Sequence, residues 1–169
     1  DGSFLPSEPM IAFDSPRLIA DIGGLYARFV IETSYGEFAQ QRSLRCADFP
    51  SFEAAMSAYL GSLKSAAVAH AAVAIANPVD GDQVRMTNYH WQFSIEETRA
   101  NLGLETLVVV NDFTSLAMAL PRLSAQDFRQ VGAGQSVKNS VIGLLGSGSG
   151  LGVSGLIPAG DGWTSLGSE

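Results

Sequence analysis

Short apolar and β-rich runs separated by turns occupy residues 18–44, and the pattern shifts to a helical period after them. Residues 18–22 are a short apolar run that stops at Gly23-Gly24, which reads as a strand entering a tight turn. Residues 27–32 resume with a β-rich segment, and the turn Ser34-Tyr35-Gly36-Glu37 leads to a third strand over 38–44. Over 50–63 the pattern changes. Phe52, Met56, Tyr59, Leu60 and Leu63 fall at helical spacing, a core stripe opened by Ser51 as N-cap and weakened at Gly61. The small apolar run over 71–76 is too short for a helix of its own and reads as a buried central strand.

The second half is read the same way. A turn cluster spans 77–82 and a short strand 83–86. Ser94 with Glu97 three residues on is a capping-box signature, and Gly103 ends the helix it opens. Residues 106–110 are the most β-like stretch, with Asn111-Asp112 at their C-terminal end. A helix is expected over 113–120, stopped by Pro121, and a further short helix over 124–130. A loop over 132–139 leads to a strand over 140–145, a glycine-rich turn over 146–152, and another strand over 153–157. Residues 1–16, with three prolines, read as a loose tail.

Composition narrows the class. The chain has 169 residues, 46% hydrophobic and 16% charged, which is globular rather than disordered. A net charge of −7 disfavours nonspecific contact with nucleic acid or an anionic membrane, without excluding a local phosphate site built from backbone N–H groups. No apolar run is long enough for a membrane span, and no secretory signal is visible. Cys46 is the single cysteine, so no internal disulfide forms, in keeping with a cytoplasmic location. It reads as a small buried residue rather than a nucleophile. The chain starts at Asp1 and stops at Glu169, and both ends read as cut.

Three constellations carry chemistry. In Asp21-Ile22-Gly23-Gly24, the glycine pair lets backbone approach a ligand and aim N–H groups at an anion, and Asp21 is placed to hold a divalent cation through water; the plain alternative is an ordinary hairpin. The cluster over 146–152 has glycine at every second position, so a phosphate can lie against bare backbone; it lacks the lysine of a P-loop, and a glycine-rich hairpin is the alternative. Asn111-Asp112 sits where α/β sheets hold ligands. Asp112 there either takes a proton from a sugar hydroxyl, with Asn111 holding neighbouring hydroxyls, or merely caps the next helix. Trp91 and Trp163 read as packing residues, and His70 and His90 have no metal-ligand partners at useful spacing.

The order of these motifs resembles that of bacterial glucokinases. Asp21-Ile22-Gly23-Gly24-Leu25-Tyr26-Ala27-Arg28 is similar to the family's Asp-x-Gly-Gly-Thr-Asn-Ala-Arg. Residues 74–82 are similar to its Ala-Ile-Ala-x-Pro-x-x-Gly-Asp, and 86–94 to its Met-Thr-Asn-x-x-Trp-x-Phe-Ser. Asn111-Asp112-Phe113-Thr114 and the glycine turn over 146–152 match in turn, and 163–169 resembles the stretch ending in the first sugar-binding glutamate. The resemblance implies an α/β fold: a ribonuclease-H-like (actin-like ATPase) domain with a mixed sheet flanked by helices, plus the first β-hairpin of an incomplete second domain. It divides the chain into a tail over 1–17, a small domain over 18–122, and a linker with the start of a larger domain over 123–169.

The resemblance further implies ATP-dependent phosphorylation of glucose at its 6-hydroxyl, with Mg2+ arriving on ATP near Asp21. Asp112 would be the general base, and Asn111 and Glu169 would be sugar ligands. Gly23, Gly24, Gly148, Ser149 and Gly150 would line the phosphates. Glucose and ATP are the implied partners, a homodimer is left open, and the family continues well beyond Glu169, so this stretch is expected to be inactive alone. Leu25 stands where the family has Thr, and Tyr26 where it usually has Asn. That departure supports a second reading: a catalytically impaired kinase-like protein that holds sugar or regulates.

Overall fold

The computed structural model describes residue 13 and residues 16–63, 67–87, 89–147 and 151–167. The chain forms two compact units, Ser7–Asp112 and Phe113–Glu169.

The first unit is built on a five-stranded mixed sheet. Its strands are β1 (Arg17–Ile22), β2 (Tyr26–Ser34), β3 (Glu37–Arg45), β4 (His70–Ile75) and β7 (Thr106–Asn111), in the order β3-β2-β1-β4-β7. β1, β2 and β3 are the expected antiparallel meander. β4 then runs parallel to β1, and β7 parallel to β4. A short hairpin of β5 (Gln83–Arg85) and β6 (Gln92–Ser94) lies between β4 and β7 in sequence. β6 has too few alternating residues to stand out in sequence.

One face of the sheet carries the core. Leu18, Ala20 and Ile22 alternate inward from β1, Ala27, Phe29 and Ile31 from β2, and Val73 and Ile75 from β4; all are buried in one cluster. Helix α1 (Phe52–Gly61) covers this face with Phe52, Ala55, Met56 and Tyr59, the Tyr59 ring stacking on Phe29 at 5.0 Å. Ser51 caps α1 as expected, its hydroxyl accepting from the Ala54 N–H at 3.1 Å. Trp91 is buried in the same cluster, and its indole N–H donates to the Phe49 carbonyl at 3.2 Å. Helix α2 (Ile95–Asn101) starts at Ser94, whose hydroxyl accepts from the Glu97 N–H at 3.0 Å. The mixed α/β fold, with a central sheet flanked by helices, is the one expected from sequence.

Helix α3 (Asp112–Ala119) follows β7 directly, and a 3-10 turn at Leu120–Arg122 holds Pro121. The helix expected over 124–130 is reduced to a single 3-10 turn, Ala125–Asp127. Ser124 closes it locally by donating from N–H and hydroxyl to the Asp127 carboxylate, and none of its residues is buried to reward a longer helix. The second unit then forms a three-stranded antiparallel sheet, β10-β9-β8, from β8 (Ile142–Ser147), β9 (Leu151–Ala159) and β10 (Gly162–Leu166). β10 continues the hairpin read from sequence into a meander, turning at Gly160, whose φ of +58° suits glycine.

Candidate active site

The three parallel strands end level with one another. Ile22, Ile75 and Asn111 are partners in one row across β1, β4 and β7. Two strand spacings therefore separate Ile22 from Asn111, about 10 Å. The chain runs from β1 outward to β2 and β3, then returns to the other side of β1 as β4, so the strand order switches between β1 and β4. Ligands of open α/β sheets bind beyond the carboxyl ends of strands at such a point. Gly23 and Gly24 leave the end of β1 there, and Asn111 ends β7 with Asp112 opening α3.

The first glycine turn is closed by the Gly23 N–H donating to the Tyr26 carbonyl at 3.0 Å. Gly23 does not have a left-handed φ, and a Cβ built on it would meet nothing closer than the Tyr26 carbonyl at 3.6 Å. Neither backbone strain nor internal packing therefore demands glycine at 23. Among the described residues, the N–H groups of Gly24 and Leu25 have no acceptor. Bare backbone with unspent donors is suited to an anion. Leu25 is 79% exposed at the tip of this turn.

Asp21 is exposed on the sheet face opposite α1, and its carboxylate accepts from the Arg28 guanidinium at 2.8 Å, cross-strand neighbours on β1 and β2. Both side chains are half exposed, so solvent screens the pair. A cation held by Asp21 competes with Arg28. No group of three His, Cys, Asp or Glu that could hold a metal occurs among the described residues.

Asn111 donates from Nδ2 to the Asn77 carbonyl at 3.2 Å, and Asp112 is half-buried. Asn77 is a residue that sequence reading passed over. It is buried, and its Oδ1 accepts from both the N–H and the hydroxyl of Thr87, at 2.7 and 2.6 Å. Its Nδ2 donates to the Pro78 carbonyl at 2.9 Å, while the Ala76 N–H donates to the Ile22 carbonyl at 3.0 Å. Asn77 thus ties the loop after β4 to the end of β7. The available signal was Asn77-Pro78 directly after an apolar strand, a turn dipeptide placed at a strand end where ligands bind.

The second glycine cluster divides in two. Gly148, Ser149 and Gly150 lie outside the described residues, as does Glu169. Gly146 and Gly152 face each other across β8 and β9, and the Phe113 ring lies over both. A Cβ on Gly146 would come within 2.6 Å of the Phe113 Cζ, and one on Gly152 would overlap the same ring. At these two positions glycine serves packing, an aromatic ring covering a bare cross-strand pair.

The remaining candidates are structural. Cys46 is fully buried, and burial pushes its thiol up from the ordinary value, which removes it as a nucleophile. His70 Nδ1 lies 3.2 Å from the Thr106 hydroxyl, and the His90 ring packs on Tyr89 at 4.3 Å. No described helix is long and apolar enough to cross a membrane.

Comparison with known proteins decides the family, because the glucokinase family matches residues 18–169. The chain belongs to the glucokinase family. It is 60% identical over 156 residues to the bifunctional protein glk of Burkholderia thailandensis, covering 92% of this chain and 24% of that protein. It is 49% identical over 154 residues to the glucokinase of Chromobacterium violaceum, covering 91% of this chain and 44% of that one. Among solved structures, a glucokinase from an Antarctic psychrotroph superposes with a TM-score of 0.80 at 34% identity, covering 92% of this chain and 50% of that one. This glucokinase-family chain therefore spans a quarter to a half of the length of these relatives.

Proposed function

We propose that the whole protein transfers the γ-phosphoryl group of ATP to the 6-hydroxyl of glucose in the cytoplasm, and that this chain supplies its base and two phosphate-facing glycine turns. The observation that carries the reading is the shared row Ile22–Ile75–Asn111, which sets Gly23-Gly24 and Asn111-Asp112 on one sheet edge in a chain of the glucokinase family. The separation of about 10 Å leaves room for a hexose hydroxyl and a phosphoryl group in line.

In this reading Asn111, with its amide held by Asn77, and Glu169 bind the sugar. The Asp112 carboxylate accepts the O6 proton as the O6–phosphorus bond forms. The bond from phosphorus to the bridging oxygen of ATP breaks, and ADP leaves with that oxygen. Gly23, Gly24, Gly148, Ser149 and Gly150 line the phosphates with backbone donors. The fit to a nucleotide rests on the acceptor-free N–H groups of Gly24 and Leu25 and on a Gly23 whose backbone no side chain of the chain covers. Asp21 would lie near a magnesium ion carried in on ATP, which would offset the negative charge of the phosphates. The domain division proposed from sequence is 18–122 and 123–169, its boundary lying past the Asp112–Phe113 junction of the two compact units, after a tail over 1–17 that lies largely outside the described residues.

The test is glucose-dependent ADP production by the whole protein. Asp112→Ala lowers kcat by roughly 10²–10⁴-fold, the range of a lost general base. An unchanged rate removes Asp112 from that role.

One observation favours a second reading, an impaired kinase that binds sugar or regulates. Leu25 presents an apolar side chain to solvent where the family's Thr would offer a hydroxyl. Losing one such donor costs about 2–4 kcal/mol of transition-state stabilisation. In that reading Leu25→Thr raises kcat strongly, and no gain counts against it.

A further inference from the structure

Cys46 sits just past the end of β3, directly behind the first glycine turn. Its thiol donates to the Gly23 carbonyl at 3.4 Å, and its backbone N–H donates to the Leu25 carbonyl at 3.0 Å. Cys46 itself is fully buried, so both of its donors are turned toward the turn rather than toward solvent. Arg45, the residue before it, is paired with Tyr26 in the β2–β3 ladder, which fixes where Cys46 stands relative to the turn.

The consequence follows from peptide geometry. In a trans peptide the C=O and the N–H of one unit point in opposite directions. Gly23 O and Gly24 N–H belong to the same unit, so a thiol that draws Gly23 O inward turns Gly24 N–H outward. Leu25 O and Tyr26 N–H are coupled in the same way by the backbone N–H of Cys46. Gly23 lacks a Cβ and a left-handed φ, so nothing intrinsic to that residue selects one orientation of the peptide that follows it. An anchor outside the turn has to supply the selection, and Cys46 is where the structure holds one.

We infer that Cys46 is a positioning residue for the nucleotide: by holding the inner carbonyls of the first glycine turn, it presents the Gly24 N–H to the ATP phosphates. This rests on the kinase reading above. It differs from a generic packing role because its loss would affect ATP and not glucose. The thiol does no chemistry, and its burial keeps it out of reach of substrate.

The experiment compares steady-state kinetics of the whole protein with Cys46→Ala and Cys46→Ser, varying ATP and glucose separately and recording melting temperature alongside. Cys46→Ala is expected to raise KM for ATP by about three- to ten-fold, the range of one hydrogen bond, and to leave KM for glucose unchanged. Serine keeps a donor at the same position and recovers part of that change. Three outcomes overturn the inference: an unchanged KM for ATP in Cys46→Ala, a parallel rise of both KM values, or a serine variant as defective as alanine. Absence of turnover in the unsubstituted protein overturns the kinase reading itself, and the inference with it, so the two failures are told apart by the unsubstituted control.

Discussion

Glycine is one residue type with two different reasons for being here. At 152 and 146 its missing Cβ is filled by Phe113. Gly152→Ala should therefore lower stability by about 1–3 kcal/mol, the usual cost of overpacking, and be seen as a drop in melting temperature. At 23 a Cβ would meet only the Tyr26 carbonyl, at an ordinary contact distance of 3.6 Å, so the chain leaves room for a methyl group. Gly23→Ala should leave the melting temperature within error and raise KM for ATP, because the methyl group then stands where a phosphate approaches. If Gly23→Ala unfolds the protein, or leaves ATP kinetics untouched, the turn is a hairpin and no more. Sequence shows all three glycines in turns beside strands and cannot separate them, since the distinction lies in what occupies the space above each.

Among the elements, α2 shows most plainly how local sequence and long-range contact combine. Ser94 caps it from within the sequence, three residues before the N–H it satisfies. Asp82, twelve or more residues earlier, supplies the rest: its carbonyl accepts from the Ile95 N–H and its carboxylate from the Glu96 N–H, at 3.0 and 2.9 Å. Hydrogen bonding by the Ser94 hydroxyl, and then by the Glu96 N–H, holds the Asp82 carboxyl below its ordinary value of 3.8. A carboxylate with a depressed folded value stabilises the fold above its unfolded value and loses that contribution as pH falls through the folded one. The difference in melting temperature between the unsubstituted protein and Asp82→Asn should thus be present at neutral pH and shrink below about pH 4. A difference that persists undiminished at pH 2 would show that the charge is not what holds the cap. Ser94→Ala should cost about 1 kcal/mol by removal of the N-cap oxygen.

At the scale of the whole molecule, the chain spans a quarter to a half of the length of the relatives it matches. The core face of the first unit is closed, but Ala72 and Val108 on the other face of β4 and β7 are exposed, where parallel sheets are ordinarily covered on both sides. The sugar kinase reading also needs Glu169 and groups that the family carries beyond it. Calorimetry of this 169-residue chain with glucose should accordingly detect no tight binding, and ADP production should be negligible. Tight binding would show that Asn111 and Asp112 suffice for the sugar.

Local pattern alone determined most of the elements, because short apolar and β-rich runs, helical spacing, Ser51 and Ser94 as caps, and the glycine turns act within a few residues. It also determined the order of motifs, and through that order the family. The pairing of β4 between β1 and β7 was beyond its reach, as were the row that brings Ile22 and Asn111 to one edge, the bond from Asn111 to Asn77, the seat of Phe113 on Gly146 and Gly152, and the grip of Cys46 on Gly23. Each of these joins residues 23 or more positions apart, as with Cys46 and Gly23. Such contacts depend on how strands stack side by side, which periodicity along a single chain does not encode.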